Sequence, residues 1–190
     1  MRIFIAIQLP DKLKEYLSSI QERLKKTGAD VKWVEPHNIH LTLKFLGEIE
    51  KKKLEDIIKI IERIAKNKKE FTIQLSSLGA FPKIDFPRVI WIGINKGQDQ
   101  TKQIVQELEE GLFQIGIPKE KRPFLSHITI GRVRSSLNRK ELASEIGSLQ
   151  TNLENNKLEF VAKGITLFKS ILTPQGPIYE ALKEINLATI

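Results

Sequence analysis

Cysteine is absent from the 190 residues, and methionine occurs once. No disulfide, thiolate nucleophile, zinc ribbon or iron–sulfur cluster is therefore available. Tryptophan and tyrosine occur twice each and histidine three times, so any aromatic or imidazole chemistry falls on few residues. No apolar run approaches the roughly 20 residues that a membrane span needs. The opening MRIFIAIQLPDK is too short and too mixed to act as a signal peptide. These absences point to a cytoplasmic protein with no membrane association.

What is present describes an ordinary folded chain with a basic bias. The hydrophobic fraction is 41% and the charged fraction 28%, enough for one domain with a buried core. The net charge is +8, which favours polyanionic partners, nucleic acid first.

Hydrophobic periodicity divides the chain into alternating strands and helices. Residues 2–9 read as a buried strand. Leu13, Tyr16, Leu17, Ile20 and Leu24 mark a helix that Gly28 ends. Short strands follow at 31–34 and 39–46, then a helix near 51–67 and a strand at 71–75. A proline-containing loop runs from Phe81 to Pro87. The order then recurs: strand 88–94, helix 98–115, strand 124–133, a helix through Leu142–Leu149 and a strand over 158–168. The tail from Ile178 to Ile185 suits a closing strand. In the first half 38 residues separate Arg2 from His40, and in the second 39 separate Arg88 from His127. The expected fold is α+β, a bilobal pseudo-twofold duplication. Mainly antiparallel sheets line a central cleft, with helices outside. No linker divides the halves, so 1–190 reads as a single bilobal domain whose lobes interleave around two similar strands.

Those two strands carry the chemistry. His40-Leu41-Thr42 and His127-Ile128-Thr129 occupy matching positions of the two halves. Strand side chains alternate faces, so each tripeptide sets an imidazole and a hydroxyl side by side, with apolar residues behind. By the same alternation Lys44 joins the His40 face, Phe45 turns toward the core, and Arg132 turns away from His127 unless the strand bulges near Gly131. Two imidazoles across a cleft suit phosphoester chemistry, one removing a proton and one supplying it. The threonine hydroxyls can donate to phosphate oxygens. His37 and His40 form an HxxH pair, but odd spacing on a strand separates them, and no metal site is expected.

With NIHLTLKFLG and FLSHITIGRVR around the motifs, RIFIAIQLP at the start and FKSILTPQGPIYE near the end, the chain resembles the two-histidine (2H) phosphoesterase superfamily. Within it, the chain is most similar to the RNA 2′,3′-cyclic phosphodiesterases, also called 2′-5′ RNA ligases. The resemblance implies metal-independent hydrolysis of RNA 2′,3′-cyclic phosphate ends to a 2′-phosphate, with reversible 2′-5′ ligation by the same groups. No cofactor and no obligate protein partner are implied; RNA with such ends, tRNA fragments included, is the partner. His127 is assigned as base and His40 as acid, roles that pseudo-symmetry allows to be exchanged. Thr42, Thr129 and the family's arginine, Arg132, would hold the phosphate. Trp33, Lys44, Arg134 and Tyr179 are the further candidates for RNA contact. Two other readings stay open: a phosphodiesterase for another 2′-5′-linked or cyclic nucleotide, and a non-catalytic module that grips RNA ends.

Overall fold

The structure, a computed structural model, describes residues 1–155 and 157–189. Nine strands and four α-helices are described, in the order β1 (Arg2–Gln8), α1 (Asp11–Lys25), β2 (Val31–Trp33), β3 (His40–Glu48), α2 (Leu54–Lys66), β4 (Phe71–Lys83), β5 (Phe86–Ile94), α3 (Gln98–Gln114), β6 (His127–Val133), α4 (Arg139–Asn155), β7 (Glu159–Ala162), β8 (Gly164–Thr173) and β9 (Gly176–Asn186). They form two antiparallel sheets, β3-β1-β8-β9 and β2-β6-β5-β4-β7.

The halves interlock. β4 ends the first half but pairs with β5 of the second. β8 belongs to the second half but pairs with β1 of the first. Each half thus completes the other's sheet. β1 lies second in its sheet and is buried on both faces, which explains its unbroken apolar run. Ile3, Ile5 and Ile7 enter the core, where Leu17 and Leu24 of α1 and Leu41 and Leu43 of β3 are also buried. Ile90, Ile92, Ile128 and Ile130 of the second sheet belong to the same cluster, with Leu142 and Ile146 of α4. No helix of the described residues is long and apolar enough to cross a membrane.

Several boundaries depart from the sequence pattern. Residues 124–126 precede the strand, which begins at His127. The segment through Phe81 to Pro87 is a hairpin and not a loop, because Pro82 and Pro87 face each other near its tip, where a missing N–H costs little. The apolar run 158–168 is two strands in different sheets. It breaks at Lys163–Gly164, where a Cβ on Gly164 would lie 2.8 Å from the Ile185 carbonyl oxygen. The closing strand expected in the tail is β9.

The largest departure is a matched pair of β-bulges. Along β1–β3, Ala6 pairs with Thr42 but Ile5 with Lys44, so Leu43 is the extra residue. Along β5–β6, Trp91 pairs with Thr129 but Ile90 with Gly131, so Ile130 is the extra residue. Each bulge follows the threonine of its motif, and each reverses the alternation beyond it. Lys44 consequently turns inward, 5% exposed, and Phe45 turns outward, 63% exposed. Strict period-two alternation assigned these two residues to the opposite faces. The Lys44 ammonium donates to Glu109 Oε1 at 2.7 Å and to the Pro118 carbonyl at 3.1 Å. Glu109 Oε2 accepts from the Glu120 N–H at 3.1 Å. Lys44 therefore ties the first motif strand to α3 and to the loop that leads into His127, instead of meeting RNA.

Removing one member of such a pair strands the other, which typically costs about 3 kcal/mol. Glu109→Ala is expected to lower unfolding stability in urea by about that amount, while Lys44→Met with Glu109→Leu stays within about 1 kcal/mol of wild type. A Glu109→Ala loss below about 0.5 kcal/mol would show that the pair does not anchor the strand.

Candidate active site

The two motif strands, β3 and β6, lie against each other, each in its own sheet. Their burial patterns match from the histidine through the seventh residue, with histidine and threonine half-buried and the residues between them buried. His40 Nδ1 lies 2.6 Å from the Asn38 carbonyl oxygen, and His127 Nδ1 lies 2.6 Å from the Leu125 carbonyl oxygen. A carbonyl can only accept, so Nδ1 carries the proton in both rings and Nε2 is left free. Each free Nε2 can take or give a proton. The Thr42 and Thr129 hydroxyls have no hydrogen-bond partner among the described residues, so both can donate to a ligand.

Aromatic rings enclose both imidazoles. Phe4 lies 4.9 Å from the His40 ring, and Tyr179 meets it edge-on at 5.4 Å. Phe81 meets the His127 ring edge-on at 5.1 Å. Burial consequently disfavours the imidazolium at both sites. His40 is pulled down to about 4, chiefly by desolvation; its hydrogen bond to Asn38 opposes this, and the Lys14 cation adds to it. His127 is also lowered, by desolvation first and by the Arg132 cation last, against the Leu125 hydrogen bond.

The bulge brings Arg132 to the His127 face, as the sequence required for it to serve. Arg132 is exposed and acts electrostatically on both His127 and Tyr179, which stands in the other sheet. Burial raises the Tyr179 phenol, and the Arg132 and Arg2 cations oppose that rise. Tyr179 is thus at the site, beside His40. Arg134 is exposed one residue beyond β6. Trp33 is not in the cleft. It pairs with Gly131, packs against the core, and lies so close that a Gly131 Cβ would come within 3.0 Å of its ring. Gly131 is the bulge counterpart of Lys44, and its missing side chain makes room for Trp33. His37 is exposed on a 3-10 turn over Pro36–Asn38.

Four residues were not singled out from sequence, or were set aside there. Phe45 lies above Phe4, ring centroids 5.9 Å apart, as the outward member of an aromatic group with Phe168 and Tyr179. Trp91 pairs across from Thr129, and its ring fills the space over Gly79, where a Cβ would be 2.6 Å away. Gln8 pairs with His40 and is held by donating to Thr166 at 3.0 Å and Glu184 at 2.8 Å. Lys14, on α1, brings a positive charge toward His40. Only Phe45 left a signal, a large aromatic within the motif strand. A separate concavity of about 440 Å³ lies between α2 and α3, lined by Arg63, Lys68, Gln103, Gln106, Glu107 and Glu110. Its Lys68 is already paired with Glu107 at 2.6 Å.

Two imidazoles with free Nε2 atoms, two free hydroxyls and an arginine on one bulged strand define an acid–base site for an anionic ester. The model for the LigT-like phosphoesterases matches twice, over residues 7–91 and 92–179, and the chain belongs to that family. An RNA 2′,3′-cyclic phosphodiesterase of Methanocaldococcus jannaschii is 41% identical over 184 residues, covering 97% of this chain and 99% of that one. A protein of the same name from Methanothermobacter thermautotrophicus is 34% identical, covering 98% and 99%. Among solved structures, TT0787 of Thermus thermophilus superimposes with a TM-score of 0.82 at 27% identity, covering 100% of this chain and 99% of that one. Escherichia coli LigT complexed with 3′-AMP gives a TM-score of 0.76 over 98% and 97%, and at 24% identity it shares the fold.

The depressed His40 makes stability pH-dependent with a defined sign. Below pH 6.5 the unfolded chain binds a proton that folded His40 refuses until about pH 4. This contribution is whole above pH 6.5 and is lost as pH falls toward 4, by about 3 kcal/mol in all. Urea unfolding across this window is expected to show a steeper loss for wild type than for His40→Ala. Parallel curves would place His40 in a more solvated setting.

Proposed function

We propose that the protein hydrolyses the 2′,3′-cyclic phosphate at RNA ends to a 2′-phosphate, by paired histidine catalysis without a metal ion. The observation that carries this is the matched pair of imidazoles, each held at Nδ1 by the carbonyl two residues earlier and free at Nε2. The curated relatives of the same length supply the substrate class.

In the step we propose, His127 Nε2 takes a proton from water as the water oxygen bonds to phosphorus. The bond from phosphorus to the 3′ oxygen breaks, and His40 Nε2 gives that oxygen its proton. Unequal burial supports this direction. The His127–Leu125 bond lies at the surface, where water arrives, and the His40–Asn38 bond is partly buried. A buried imidazolium is costly alone but is stabilised strongly by an adjacent phosphate anion, so substrate itself charges His40. Thr42, Thr129 and Arg132 hold the non-bridging oxygens as charge develops. Phe45 offers its ring face to the terminal base, with Tyr179 lining the same wall. Arg134 meets the RNA backbone. An RNA 5′-hydroxyl in place of water gives 2′-5′ ligation by the same step: its oxygen bonds to phosphorus, the bond to the 3′ oxygen breaks, and that oxygen takes its proton from His40. The interlocked halves support reading 1–190 as one bilobal domain. The cysteine-free, basic composition fits a cytoplasmic enzyme acting on RNA, tRNA fragments included.

Turnover of an oligonucleotide with a 2′,3′-cyclic end tests this, with the product terminus mapped. His40→Ala and His127→Ala are each expected to lower kcat by about 10²–10⁴, with the double variant losing less than the product of the two. His37→Ala stays within a few-fold of wild type. Phe45→Ala raises KM about tenfold, near 1.4 kcal/mol of stacking, with a smaller change in kcat. A folded His127→Ala protein with near wild-type turnover would sink the mechanism.

A further inference from the structure

β2 is a three-residue edge strand, and it brings Lys32 directly opposite Arg132 on β6. Both side chains are exposed. Like charges at directly opposite positions of a sheet repel and destabilise the pairing. Among the described residues no carboxylate forms an ion pair with Lys32, Arg132 or Arg134. The neighbouring Asp30 contributes its carbonyl, which accepts from the Arg134 N–H at 2.9 Å. Protection of a sheet edge does not explain the lysine. Any charge there would deter strand pairing, and a glutamate would also gain from Arg132. The fold instead keeps an uncompensated cation pair where a salt bridge was accessible.

Its position gives the pair a use. Arg132 is exposed on β6 beyond the bulge and Arg134 is exposed just past the end of the strand, with Lys32 opposite Arg132. From His127 to Arg132, the residue opposite Lys32, the strand covers on the order of 15 Å at about 3.3 Å per residue. Lys32 stands one strand farther out than Arg132, on the sheet edge.

We propose that Lys32, with Arg134, forms a track for the phosphates of the RNA chain upstream of the cyclic end, making this an enzyme of oligonucleotide ends and not of cyclic mononucleotides. The proposal rests on the cyclic phosphodiesterase reading given above. An upstream phosphate beside Lys32 offsets its repulsion with Arg132, whose guanidinium stays on the terminal phosphate. The terminal phosphate stays with the histidines.

The test compares wild type, Lys32→Ala, Lys32→Glu and Lys32→Arg on a nucleoside 2′,3′-cyclic monophosphate and on a six-nucleotide RNA with the same terminal residue. Affinity for the corresponding 2′-phosphate products is measured in parallel. Wild type is expected to favour the oligonucleotide at least tenfold in kcat/KM. Lys32→Ala removes most of that preference and changes mononucleotide kcat/KM less than twofold, Lys32→Arg retains the preference, and Lys32→Glu, by pairing with Arg132, lowers mononucleotide kcat/KM as well. Lys32→Ala lowers the log–log salt slope of oligonucleotide affinity by somewhat less than 1, as loss of one phosphate contact to a single strand requires. An unchanged preference in Lys32→Ala overturns the track, and so does an equal fall on both substrates in that variant. Failure of wild type to turn over either substrate overturns the phosphodiesterase reading instead, while product affinity still decides whether Lys32 recognises the chain.

Discussion

The extra residue that follows each motif threonine organises the site. Leu43 and Ile130 interrupt their ladders directly after Thr42 and Thr129. Before each bulge, the imidazole and hydroxyl face the cleft. After it, the face reverses, so the third residue beyond the threonine also reaches the cleft. That residue is Phe45 in one strand and Arg132 in the other. An apolar ring thus stands at the position of one half where the other presents a cation. This difference breaks the pseudo-twofold symmetry, and in the proposed mechanism it directs the base toward one sheet and the phosphate toward the other. The inward residues differ as well. Lys44 reaches across to Glu109 and Pro118, while Gly131 leaves room for Trp33.

The imidazoles depend on a second repeated device. A carbonyl two residues before each histidine fixes the tautomer, and packed aromatic rings keep the ring neutral. Neither feature is catalytic alone. Together they leave two bare Nε2 atoms on partly desolvated rings, His40 more deeply than His127, whose proton affinity an incoming anion changes more than it would in water. Lys44 links the two motifs mechanically, since the loop it anchors carries Leu125, the partner of His127.

Much of this was legible in the sequence, for physical reasons. The helices and most strands follow from periodicity, and the paired histidines from their matched spacing. The bulges were not legible, because Leu43 and Ile130 are the β-branched or aliphatic residues that any regular strand would hold. Only Gly131 hinted at one, and Arg132 was accordingly tied to a bulge there. Lys44 and Phe45 were assigned to the wrong faces for the same reason, since alternation is a local rule and the register is set by the partner strand. Trp33 was a candidate for RNA contact because sequence does not say which face a short edge strand presents; its ring packs against the core over Gly131. The run 158–168 concealed a change of sheet, since β7 and β8 are both apolar and only Lys163 separates them.

The central claim is that both Nε2 atoms face one phosphate. Long-range ¹H–¹⁵N spectra of the three histidine rings, recorded while a nucleoside 2′-monophosphate is titrated at neutral pH, test it most directly. The free protein should show His40 and His127 as neutral Nδ1–H tautomers. Ligand should shift both Nε2 resonances together, with His40 gaining a proton and His37 unmoved. A response confined to one of the pair, or an Nε2–H tautomer in either free ring, would contradict the account.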